Sequence, residues 1–143
     1  MKSRFLIAAA FLCIINSTHA QKDTCTIGLY VNSIYDFRLD EKSFMADFWM
    51  WMIYKNDSLS FQDNIEIKNS KSSEFSHFST EKHGAVNWAS QKCKAQVMHQ
   101  WDVSRFPFDE QKLQIEIEDA NHDTSALVYT VDKGNSKLDQ SAI

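Results

Sequence analysis

Apolar and polar residues alternate along most of the chain beyond Thr24, the two-residue period of strands whose side chains leave opposite faces. From Thr26 to Phe37 the positions Ile27, Leu29, Val31, Tyr35 and Phe37 fall on one face and predict a strand, closed by the charged turn Arg38-Leu39-Asp40-Glu41-Lys42. Ser43 to Tyr54 is apolar on both faces, the pattern of a central strand covered on two sides. Asn56-Asp57-Ser58 predicts a turn and Ile65 to Asn69 a short strand. Asn69 to Gly84 is polar and serine-rich, which predicts a loop with one short strand around Phe75 to Phe78. Ala85 to Trp101 predicts one long strand or two, interrupted near Ser90. Leu113, Ile115 and Ile117, set against Gln114, Glu116 and Glu118, predict a strand over Lys112 to Asp119 with one wet face. Ser125 to Val131 predicts another, followed by the turn Lys133-Gly134-Asn135. No helical period and no internal repeat follow residue 20. Many short strands at regular turn spacing predict an all-β domain, an antiparallel two-sheet β-sandwich.

The first twenty residues are of a different kind. Lys2 and Arg4 precede an apolar run from Phe5 to Ile15, and Thr18-His19-Ala20 supplies small residues for cleavage. That is the form of a secretory signal peptide, too short to span a bilayer. The expected protein is therefore exported, to the periplasm or the outer face of the cell membrane, with residues 21–143 forming one domain. Of the 15 basic residues, Lys2 and Arg4 fall in the leader, so 13 remain against 19 acidic ones, a net charge of −6. This excludes a nucleic-acid partner, which demands a basic face. Alternation turns Cys25 and Cys93 inward. An oxidising compartment permits a bridge between them, and two inert buried thiols are the alternative.

The only proline of the chain lies in Trp101-Asp102-Val103-Ser104-Arg105-Phe106-Pro107-Phe108-Asp109-Glu110-Gln111. Proline fixes φ and pushes its predecessor toward extended geometry, so the segment predicts a rigid, ring-flanked turn between strands. As plain structure it is a corner capping the sandwich core. The string W-D-V-S-x-F-P-F-D-x-Q, followed by L-x-I-x-I, resembles the signature loop of pentameric ligand-gated ion channels, the Cys-loop receptor superfamily, in the bacterial style without the bracketing cysteines. Trp49 to Phe61 resembles the second strand of that family's ligand-binding domain and the turn after it, with Tyr54 where the family has a tryptophan. Phe61-Gln62-Asp63-Asn64 resembles the family's W-x-P-D, but its proline and aspartate are missing. The resemblance covers residues 25–139.

The resemblance implies an immunoglobulin-like sandwich that senses a small molecule, amine or amino-acid-like, at subunit interfaces of a homo-pentamer. It places ligand-binding residues at Trp49, Trp51 and Phe61. A tryptophan face attracts ammonium groups, although paired tryptophans also pack cores. Phe106, Pro107, Phe108 and Asp109 would form the loop coupling the domain to pore helices in the membrane. No run of about 18 apolar residues follows the leader. The pore and the family's last two strands are thus missing from this sequence, and the domain is expected to be incomplete at its C-terminus. A secreted soluble small-ligand-binding protein on the same scaffold is the alternative.

No enzyme motif is present, and no catalytic residue, metal or cofactor is expected. Asp119-x-Asn121-x-Asp123-x-Ser125 begins like a calcium loop, but Thr124 and Thr130 stand where glycine and glutamate are needed, so a solvated loop is expected. His77, His83, His99 and His122 lack metal-ligand spacing and are expected at the surface or in loops. Asn56-Asp57-Ser58 fits a glycosylation acceptor in a eukaryotic secretory host.

Overall fold

The structure, a computed structural model, describes residues 22–143; the signal-peptide reading of residues 1–20 lies outside the described residues. Eight strands follow in chain order: β1 (Asp23–Arg38), β2 (Ser43–Tyr54), β3 (Ile65–Ile67), β4 (Ser70–His83), β5 (Val86–Met98), β6 (Ile117–Asp119), β7 (Leu127–Val131) and β8 (Lys137–Leu138). There is no helix among the described residues. The larger sheet has the order β4-β5-β2-β1-β7, with β8 also paired to β1, and β3 and β6 form a separate two-stranded ribbon.

β2 is the central strand that its two-sided apolarity predicted. One face carries Phe44, Ala46, Phe48, Met50 and Met52, all fully buried, and Tyr54, nearly so. Its other face carries Met45, Asp47, Trp49, Trp51 and Ile53, each half-buried. Ala89, Cys93, Ala95 and Val97 of β5 and Cys25 of β1 extend the inner face, and Leu59, Phe61, Ile65 and Ile67 join the same core from the far side. Small residues on β5 opposite large ones on β2 let the layers interlock, as at the paired positions Phe44 and Val97 or Phe48 and Cys93.

Several expectations are corrected. The larger sheet is mixed, because β7 and β8 run parallel to β1. Of the two readings for Ala85–Trp101, the single strand holds: β5 is uninterrupted, and Ser90 faces the outer side, where its hydroxyl meets that of Ser79 at 3.0 Å. The predicted loop over residues 69–84 is a long edge strand, β4. It is polar because both faces stay largely wet, and only Phe75 and Phe78 pack on the core. A bulge between Val31 and Ser33 shifts the β1 register, so Ile34 rather than Tyr35 continues the inner face. The Lys112–Asp119 strand keeps its alternation, but its backbone ladder covers only Ile117–Asp119. Before that the Asn69 side chain substitutes for a strand, donating to the Gln114 carbonyl at 3.0 Å and accepting from the Glu116 N–H at 2.9 Å.

Cys25 and Cys93 are free and buried, so the bridge left open by the sequence is not formed. Cys25 lies level with Tyr54, one step beyond the Thr26–Ile53 pair, whereas Cys93 pairs with Phe48. At about 3.3 Å per residue the two levels differ by about 20 Å along β2. A disulfide needs Cα atoms within about 7 Å. Burial pushes both thiols up to about 12, which keeps them protonated and inert.

Candidate functional site

Trp49 and Trp51 leave the same face of β2, as their spacing predicts, and that face is the outer side of the larger sheet. Trp51 lies across β1 at Gly28, where an added Cβ would meet its ring atoms Cε2 and Cζ2 at 2.2 Å. Glycine is required here for close approach. The Trp51 indole N–H donates to Asp132 Oδ2 at 3.1 Å, and the Tyr30 hydroxyl donates to Asp139 Oδ2 at 2.7 Å. These two bonds tie the C-terminal segment to the aromatic face. Asp139 is held down to about 2, first by the Ser141 hydroxyl and N–H and then by Tyr30. Asn135 and Trp51 likewise hold Asp132 below the ordinary carboxylate range.

Trp49 pairs with Tyr30 on one side and Lys92 on the other. Its ring meets His77 of β4 at 6.0 Å between centroids, tilted by 55°. Next along β2, Asp47 takes the Asn32 amide at 2.8 Å and the Lys92 ammonium at 3.1 Å. Burial alone would raise the Asp47 carboxyl, but these two partners outweigh it and the net displacement is downward. The face is thus aromatic with a neutralised ion pair, suited to stacking a flat or cationic group.

Phe61 is not part of it. Its side chain is 1% exposed in the core on the opposite side of the sheet, edge-on to Tyr54 with centroids 4.8 Å apart. A ligand-binding role at Phe61, beside the two tryptophans, is therefore corrected: the turn after β2 folds the chain over the inner face and buries this ring.

The proline loop stands at the end of the sheet where β1 turns into β2. Trp101 anchors it, its indole N–H donating to the Arg38 carbonyl at 2.9 Å, and the His99 N–H reaches the Lys42 carbonyl at 2.8 Å. Gln111 closes the loop's base by donating to the Asp102 carbonyl at 2.6 Å and to Asp109 at 2.8 Å. The Phe106–Pro107 bond is cis, and the Phe108 N–H returns to the Arg105 carbonyl at 2.7 Å. This bracing leaves Phe106 79% and Phe108 85% exposed. Phe37, Leu39, Met98 and Val103 are also exposed, the first through contact of its ring with Trp101 belonging to the same end. Trp49 lies six residues from Ser43, so the aromatic face and the loop are about 20 Å apart along β2.

A cleft of about 590 Å³ lies at the other end of the sheet and is lined by Lys22, Asp23, Thr24, Ile53, Tyr54 and Lys55 among others. It includes none of the expected site residues. Among the described residues no three His, Cys, Asp or Glu side chains gather where a metal could sit. Asp119 and Asp123 use their carboxylates on their own turns, at the N–H groups of Asn121, His122 and Ser125. Sequence reasoning expected His77 only at the surface or in a loop, and overlooked Tyr30, Asp132 and Asp139. The three-residue spacing of Phe75 and Phe78 in a two-residue pattern is the one signal that could have flagged His77. No protein-family model matches the chain, and no curated protein matches it significantly.

Proposed function

We propose that this chain is the extracellular ligand-binding domain of a neurotransmitter-gated-type, pentameric ion channel, built as an immunoglobulin-like sandwich. In this reading the Trp49–Trp51 face meets a small amine or amino-acid-like ligand at a subunit boundary, and the Phe106–Asp109 loop couples binding to a membrane pore. The observation that carries it is the braced, exposed pair of rings at Phe106 and Phe108. Burying one such ring against a partner is worth roughly 1.5–3 kcal/mol, so a rigid loop holding two of them in water is built to press on something. The test is a chimera joining this domain to the pore helices of a pentameric channel. Ligand-evoked current is expected, and Phe108→Ala should abolish current while leaving ligand binding intact. Current that survives alanine at both Phe106 and Phe108 refutes the coupling role.

A secreted soluble binding protein is the second reading. The 590 Å³ cleft favours it, because it is lined by residues away from both the tryptophan face and the proline loop. Saturable ligand binding lost on Lys55→Ala but not on Trp49→Ala would support this second reading against the first.

A further inference from the structure

β4 carries an extra residue at two places, one at Lys71 and one beside Trp49. Ser76 pairs with Lys92 and Ser79 with Ser90, so His77 and Phe78 together stand opposite Gln91 alone. Phe78 packs on the core. His77 takes φ 55°, a left-handed conformation uncommon outside glycine, and meets Trp49 across β5 on the outer face. The imidazole Nδ1 lies 3.1 Å from Ser76 Oγ, and Nε2 has no protein partner among the described residues. The bulge therefore spends backbone strain to hold an exposed imidazole beside an indole.

We propose that His77 is a proton-binding site that governs access to Trp49. Histidine is the side chain whose charge ordinarily changes between about pH 5 and 8. Once charged, the ring is drawn to the negative face of the indole and covers it; when neutral it loses that attraction. The charged groups on this outer face are these. On β5 and β2, Lys92 is bound to Asp47, and Lys94 pairs in register with Glu74 of β4. Also on β4, Glu81 holds His83 at 3.1 Å, and on β1 Tyr30 is bound to Asp139. Lys94 is the one of these cations that forms no ion pair among the described residues, with Glu74 as its register neighbour. A cationic ligand and a proton then compete for one indole face, and this second half rests on the ligand reading of Trp49 above.

The test is indole emission followed from pH 8 to pH 5, together with binding of tetramethylammonium at pH 7.5 and 5.5. An imidazolium in contact quenches indole, so emission should fall on acidification. His77→Asn and Trp49→Phe should each remove the same component; asparagine tolerates the left-handed backbone and preserves the fold. His99→Gln should leave that component in place, although His99 sits 4.6 Å from Trp101 and contributes its own. Tetramethylammonium should bind about two- to five-fold more weakly at the lower pH in the natural chain and equally at both in His77→Asn. An emission profile unchanged by His77→Asn overturns the proton site. An intact emission step with equal binding at both pH values overturns the competition. An intact step with no binding at either pH sinks the ligand reading and leaves the proton site standing.

Discussion

Replacing Gly28 with alanine tests whether Trp51 truly lies on the backbone of β1. In an ordinary strand this change is favourable by about 0.5–1 kcal/mol, because glycine loses more chain entropy on folding. Here the new Cβ would stand 2.2 Å from two atoms of the Trp51 ring. The ring is rigid and must swing outward. It then loses its hydrogen bond to Asp132, worth about 1 kcal/mol at a half-exposed site, and about 1 kcal/mol of apolar contact. The net expectation is destabilisation by about 1–1.5 kcal/mol, a fall in Tm of about 4–8 °C for a domain of this size. Equilibrium urea unfolding measures it, with Trp emission reporting the released ring. The decisive measurement repeats Gly28→Ala in a Trp51→Leu background. With the ring gone, the alanine should be neutral or stabilising, and the two changes should fail to add. Equal costs in both backgrounds, or a stabilising Gly28→Ala in the natural chain, would refute the packing argument.

The two phenylalanine environments should separate sharply: Phe61→Ala should cost about 3–5 kcal/mol in urea unfolding, whereas Phe108→Ala should change stability by no more than about 0.5 kcal/mol. Cys25 and Cys93 should resist a thiol reagent in the native protein and both react in denaturant; rapid native labelling of either would contradict their burial. The carboxylates of Asp47, Asp57, Asp102, Asp123, Asp132 and Asp139 are all depressed by their partners, so their contribution to stability is present above the unfolded range near pH 3.9 and is lost as pH falls through the folded values, that of Asp139 lying at about 2. The urea midpoint should therefore drop below about pH 4, and Tyr30→Phe should reduce the part of that drop due to Asp139; a midpoint that rises on acidification would reverse the assignment.

The elements visible in the sequence are those whose side chains alone determine them. β2 is apolar on two sides because it has a neighbour on each edge, a packed core on its inner face and half-buried rings on its outer one. β4 hides for the opposite reason. It is an edge strand whose order comes from the β5 ladder, and backbone pairing leaves no mark in a polar sequence. The parallel docking of β7 and β8 on β1 was equally invisible, since alternation reports faces and not neighbours. A bulge defeated the reading at Tyr35 by shifting the side-chain parity by one. For the candidate site, spacing put Trp49 and Trp51 on one face. It could not show that the face was outer, or that Phe61 folds back into the core.

The two candidate regions share a single rigid part. Trp49 lies on β2, and the proline loop rests on carbonyls of Arg38 and Lys42 at the turn where β2 begins. β2 is bonded along its length to β1 and β5, and its inner face is packed without gaps of exposure from Phe44 to Met52. A strand held in this way cannot stretch or slip by one residue, because a slip would drive Phe44, Phe48 and Met50 to the outer side. In the proposed reading, a push on the Trp49 face would therefore reach the turn as a tilt of the whole sheet, not as a local distortion. The loop follows that tilt through Trp101 and His99. Trp101→Phe, which keeps an aromatic ring but loses the five-membered half of the indole and its N–H, should loosen this joint. In the chimera it should weaken gating while leaving tetramethylammonium affinity unchanged, and an equal loss of both would show that the aromatic face and the loop are not mechanically distinct.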